Sequence, residues 1–156
     1  MKKIFAATVL ASTALTAHAN SLATSPLVGA RYSLDAYSID TAGNTTLLPG
    51  RQISKSNSTH RLCWQVVSDT PIFDKNVAVK EVFQSPQGAV FNDGKSIVQS
   101  SFDGTKHTVT TLVNSINQSA IQRCWQFDGG DPTGIYKLDA EIAGFALPSQ
   151  TFTIVP

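Results

Sequence analysis

A five-residue word that occurs twice limits what this chain can fold into: Leu62-Cys63-Trp64-Gln65-Val66 and Arg123-Cys124-Trp125-Gln126-Phe127. The two copies hold both cysteines and both tryptophans of the sequence. Each places apolar residues at every second position, the pattern of a strand buried on one face. The copies lie 61 residues apart, so a link between them would tie one half of the chain to the other. They read as two strands of one β-sandwich, stapled by a Cys63–Cys124 disulfide.

The N-terminus supplies a reason to expect that disulfide. Lys2 and Lys3 precede an apolar run from Ile4 to Leu15, and Ala17-His18-Ala19 is a small-residue cleavage site. The run is too short for a membrane span, and no cysteine adjoins the cleavage point to carry a lipid. The pattern predicts a cleaved signal peptide over 1–19, a flexible tail over 20–27 and one domain over 28–156, in the periplasm or secreted. The Met-Lys-Lys opening fits a bacterium, so the Asn44, Asn57 and Asn117 sequons carry no weight as glycosylation sites. In such a compartment two cysteines are expected to form one disulfide, with two free buried thiols as the alternative. Closing a loop of ~60 residues is worth roughly 4 kcal/mol in the chain-entropy description.

Composition removes several partners. The whole chain has 12 Lys and Arg against 11 Asp and Glu, and loss of Lys2 and Lys3 leaves it close to neutral. That balance gives no electrostatic reason to expect nucleic acid or an anionic membrane. Met1 is the only methionine, so the mature chain has no Met-rich copper site.

Alternating runs predict strands over 28–39, 60–67, 77–83, 97–102, 106–113, 121–127, 135–142 and 151–155, with shorter pairing near 45–48. Turn signals separate them. Asp103-Gly104 between two alternating runs predicts a type I′ hairpin turn, which needs positive φ at both central residues. Residues 51–59 form a long, Ser-rich loop. Only 114–119 has room for a turn of helix. The sum is an all-β, antiparallel sandwich of about 7–9 strands.

Asp131-Pro132-Thr133-Gly134-Ile135-Tyr136-Lys137-Leu138 resembles the entry to the penultimate strand of immunoglobulin-like and fibronectin-like domains, here of the bacterial exported kind. In that family the tyrosine hydroxyl bonds back to the preceding loop. The resemblance covers about the last 35 residues and concerns architecture. It assigns Asp131, Gly134 and Tyr136 to a tyrosine corner. Leu138 stands where antibody domains place their second cysteine, so the bridge cannot be the usual one. If Tyr136 begins strand F, Cys63 lies on strand B and Cys124 on strand E, neighbours in one sheet. Trp64, Trp125 and Leu138 then face the core and the disulfide faces outward; a bridge through the core between the two sheets is the rival geometry. Arg123 falls on the same face as Trp125, an objection to this register unless its head reaches an edge.

Chemistry is sparse. His60 and His107 belong to no metal or nucleophile motif and are expected as half-exposed histidines on strands or strand ends, and no G-x-S-x-G occurs. The pairs Asp69 with Asp74 and Asp128 with Asp131 sit in turns, where capping is their expected work; for Asp128 and Asp131 a calcium site is the alternative. Tyr32 and Tyr136 are expected in the core, and Tyr37, Phe73 and Phe91 are candidates for exposure near loops, though such residues are more often core filler than contact surface. No catalytic residue, cofactor or metal is expected. The expected function is a non-enzymatic module that recognises another exported protein or a glycan through loops or a strand edge. Alternatives are a protease or hydrolase inhibitor using residues 51–59 and 85–94, a metal-binding protein, and a fimbrial subunit.

Overall fold

Period-2 alternation decides which residues of each strand are covered, and the covered residues decide how the strands stack. The computed structural model describes residues 29–72 and 76–156. The expected signal peptide, the tail over 20–27, Val28, Phe73 and Asp74 lie outside the described residues. Among the described residues eleven strands follow one another: β1 (Arg31–Ile39), β2 (Thr45–Leu48), β3 (Gln52–Ser54), β4 (His60–Val67), β5 (Val77–Gln84), β6 (Ile97–Ser100), β7 (Lys106–Val113), β8 (Ala120–Trp125), β9 (Gly134–Ile142), β10 (Phe145–Ala146) and β11 (Gln150–Val155). Seven have six or more residues.

One sheet has the order β2-β1-β4-β8; the other runs β3-β11-β9-β5-β7-β6, with β10 paired to β9. With β1, β4 and β8 as strands A, B and E, and β5, β9 and β11 as C, F and G, the fold is an immunoglobulin-like sandwich. Every strand pair is antiparallel except β3 with β11. The chain crosses from the first sheet to the second at Gly50 and Arg51, both with positive φ. Residues 51–59 are therefore not a free loop: they contain β3, and Ile53 is fully buried.

The inner faces meet in one core. Leu34, Leu62, Trp64, Ile121 and Trp125 come from the first sheet; Phe83, Val109, Tyr136, Leu138 and Phe152 come from the second. Phe91 belongs here too, stacked on Phe83 at 4.2 Å between ring centroids. It is buried rather than exposed, because the loop after β5 folds back over the aromatic cluster. Tyr37 and Tyr32 are half-buried.

The Asp103-Gly104 turn also differs from expectation. Only Gly104 takes a positive φ, and its N–H bonds the Ser101 carbonyl. Asp103 instead caps the turn, accepting from the Ser101 hydroxyl and the Thr105 N–H. A five-residue connection, 101–105, has room for this ordinary turn, so the mirror-image one is not required.

Candidate binding groove

The two copies of the repeated word lie side by side. In the β4–β8 register Cys63 faces Cys124 and Leu62 faces Trp125, and Cys63 and Cys124 form a disulfide. The bridge joins neighbouring strands of one sheet on the face away from the tryptophans, not the two sheets through the core. Cys63 is nonetheless only 3% exposed, whereas Cys124 is open to solvent. Trp64 and Trp125 point inward and are buried. In the second sheet the Tyr136 hydroxyl donates to the Pro132 carbonyl at 2.7 Å. Burial pushes the Tyr136 phenol well above its usual range, with the Asp131 charge adding to it. Gly134 lies against Pro86, where a Cβ would come within 2.9 Å of the ring. Asp131 accepts from the Asp128 N–H, and Asp128 accepts from the Gly130 N–H. Leu138 is fully buried.

Between the sheets sits a polar cluster. Trp64 Nε1 and Trp125 Nε1 both donate to Glu81 Oε1, at 2.6 and 2.8 Å. Glu81 lies on β5 in phase with Val77, Val79 and Phe83, and it is 0% exposed. Its second oxygen faces Arg123 Nη1 at 3.3 Å. Arg123 also meets Asp93 at 2.8 Å and the Ser96 hydroxyl at 3.0 Å, and its guanidinium lies over the Trp125 ring. The Arg123 objection thus resolves without a strand end. Arg123 stands in mid-strand on the core face because a buried carboxylate waits there.

Burial drives the Glu81 carboxyl above its ordinary range, opposed by Arg123 and the two indoles. Asp93 goes the other way. Burial pulls it up, but the Ser96 and Lys95 N–H groups, the Ser96 hydroxyl and Arg123 outweigh that and hold it at about 2. The signal for this cluster was present in the alternation. Glu81 and Arg123 are opposite charges, each out of character with the apolar face it occupies.

Arg123 and Asp93 form the floor of an open groove of about 600 Å³. Its walls include Ile97, Leu112, Val113 and Gln122, with Lys95 at the rim. Ile97 and Leu112 are among the large apolar side chains left in solvent. β6 pairs with β7 only as far as Thr110, so Thr111 to Val113 run on without a neighbour on that side. β8 bounds the groove opposite; among the described residues its one ladder is with β4, and on its other side only Ala120 is bridged, by Ile116.

The remaining candidates are satisfied internally. His107 is buried rather than half-exposed; its ring nitrogens face the Ser85 and Ser100 hydroxyls at 3.2 and 2.8 Å. Desolvation lowers its pKa and favours the neutral ring. Ser85 donates to the Pro86 carbonyl, so the Ser85–His107 contact is not arranged as a nucleophile and base. His60 Nδ1 accepts from the Ser54 N–H. Asp69 pairs with Arg31 on the surface. Among the described residues no group of three or more His, Cys, Asp or Glu is placed to hold a metal.

Residues 32–155 match the family described as PM0630 beta sandwich domain. An uncharacterised protein of Pasteurella multocida, PM0630, is 27% identical over 117 residues, covering 70% of this chain and 68% of that protein. An immunoglobulin-like protein of Pseudomonas aeruginosa overlays 81% of this chain and 96% of its own, at 10% identity and a TM-score of 0.46. An alkylpurine DNA glycosylase of Pseudomonas fluorescens, solved bound to DNA with an abasic-site analogue, overlays 81% of this chain at 10% identity and a TM-score of 0.42. This chain spans only 30% of that enzyme. At such scores neither structure bears on what this chain binds.

Proposed function

For a chain that belongs to the PM0630 beta sandwich domain family, we propose a non-enzymatic binding role outside the cytoplasm, in the periplasm or secreted medium. The module recognises another exported protein in the groove between β7 and β8. The observation that carries this reading is the groove itself. Apolar Ile97 and Leu112 stand uncovered on its wall, above a floor in which Arg123 is already fixed by Glu81 and Asp93. Such a floor is pre-organised, so a ligand would meet oriented charge without the cost of ordering it. The signal-type N-terminus and the disulfide support the compartment.

The test uses the mature chain as bait in an exported-protein extract of the source bacterium. Leu112→Glu puts a charge on the apolar wall, and Leu47→Glu does the same on the remote β2 edge. A partner retained by the wild type and by Leu47→Glu, but lost at least tenfold with Leu112→Glu, is the expected result. Retention that ignores Leu112 would place the site elsewhere. Binding to an arrayed glycan that depends on Leu112 would replace the protein partner with a sugar.

A further inference from the structure

We infer that the groove takes an extended polypeptide strand, which pairs through its backbone with Gln122 and Cys124 of β8 and offers a carboxylate to Lys95. This rests on the binding role proposed above and specifies its mode.

The direction of the β8 backbone comes from the disulfide pair. The Cα atoms of Cys63 and Cys124 are 4.1 Å apart, the close spacing of a pair that does not exchange backbone hydrogen bonds. The N–H and C=O of Cys124 therefore point away from β4. By the alternation of an antiparallel ladder, so do those of Gln122, which faces Gln65. They point to the side where an immunoglobulin-like sheet carries strand D, and among the described residues no strand lies there. β8 is also the longest edge: it has six residues, against four in β2, three in β3 and four in β6.

Edges of this kind are normally blocked by proline, lysine, a bulge or a charge aimed inward, which a docking strand would have to bury. β8 has no proline or lysine. Its one charge, Arg123, does aim inward, but its side chain is only 10% exposed and already faces Glu81 and Asp93. A strand laid beside β8 strips little further water from it, so the usual obstacle is absent.

The partner's chemistry follows from the rim. Lys95 has no ion-pair partner among the described residues, while Arg123 has two. A carboxylate on the added strand complements Lys95, and its inward apolar side chains face Thr111 and Val113, which are in phase with buried Val109 on the inner face of β7. A second copy of this chain fits less well. Symmetric pairing of two β8 strands would bring two Lys95 rims to one interface with no added carboxylate.

The probe is a displayed random library of twelve-residue peptides selected on the mature wild-type chain, with enriched peptides synthesised and titrated. Gln122→Pro removes an outward N–H and leaves the β4 ladder intact, a position an edge strand tolerates. Lys95→Glu reverses the rim charge on an exposed loop. Enriched peptides should alternate apolar residues and contain Asp or Glu. Gln122→Pro should weaken them at least tenfold and Lys95→Glu about fivefold, and binding should slow amide exchange at Gln122 and Cys124. A library without binders, peptides that bind Gln122→Pro normally, or unchanged exchange at those amides would overturn strand addition. So would a wild-type dimer in sedimentation that Gln122→Pro dissolves. If a captured protein depends on Leu112 but ignores Gln122→Pro, strand addition fails and the groove reading stands. If it ignores both substitutions, both fail.

Discussion

β4 and β8 carry nearly the same five residues and live in different places. β4 has a neighbour on each side, β1 and β8; among the described strands β8 has β4 alone. Trp64 and Trp125 reach the same oxygen of Glu81, so the inner faces of the two copies are nearly equivalent. Their outer faces are not. Cys63 is covered and Cys124 is open. Where β4 has Leu62 beside its cysteine, β8 has Arg123, which ties the strand to Glu81 and to Asp93 in the loop after β5. Alternation sets which way a side chain points, but the neighbouring strands set what covers it. An edge strand lacking a second ladder is held by other means, here a disulfide, a shared carboxylate and a salt bridge.

Removing Glu81 attacks what the two copies have in common and should have the largest effect. Glu81→Ala leaves two indole N–H groups without their acceptor and takes from Arg123 its buried counter-charge. Breaking a buried pair from one side costs about 3–5 kcal/mol, so urea unfolding should show a loss of that size. Glu81→Gln keeps an acceptor for the indoles and should lose less. Equal, small losses for both variants would mean that the carboxylate is not what joins the sheets.

Removing the disulfide separates the copies. Cys63→Ala with Cys124→Ala should cost about 2–4 kcal/mol. The loss should be uneven, because β4 keeps β1 when β8 loosens. Amide exchange should rise first along residues 120–125 and later along residues 60–67. Equal acceleration in both would show that the edge position of β8 makes no difference to how it is held.

Much of this was legible in the chain, and what was not has a physical cause. The alternation around Trp64 and Trp125 gave the core faces. The tyrosine entry with Leu138 in the cysteine position led to neighbouring strands for the bridge, because strand identity follows from that one corner. The Glu81 cluster is only half legible: alternation puts Glu81 and Arg123 on core faces, but its members lie on β5, β8 and the loop after β5, and only the stacking of two sheets brings them together. The burial of His107, and the choice between core and surface for Phe91, are hidden for a related reason. Short apolar runs and lone histidines near turns look exposed until the loop that covers them is placed. Residues 51–59 read as a loop because β3 is three residues long and pairs in parallel with β11 at the far end of the chain, a partner that local pattern cannot reveal.

The smallest expected effect belongs to the anchor that only β8 possesses. Asp93 lies at about 2 in the folded chain against an ordinary 3.8, so folding favours its ionised form. The stabilisation is present above the unfolded value and is lost as pH falls from about 4 toward about 2. Asp93 is partly open to solvent, and screening reduces the contribution to on the order of 1 kcal/mol or less. The urea midpoint of the wild type should therefore fall more steeply between pH 5 and pH 2.5 than that of Asp93→Asn, which cannot titrate at that position. At pH 2.5 the two should approach each other, and 1 M salt should narrow their difference at pH 5. The protection factors of β8 amides, corrected for intrinsic exchange, should follow the same pH course while those of β4 amides stay level. Parallel pH curves for wild type and Asp93→Asn would show that Arg123 is held by Glu81 alone. β8 would then differ from β4 only in having one neighbour fewer.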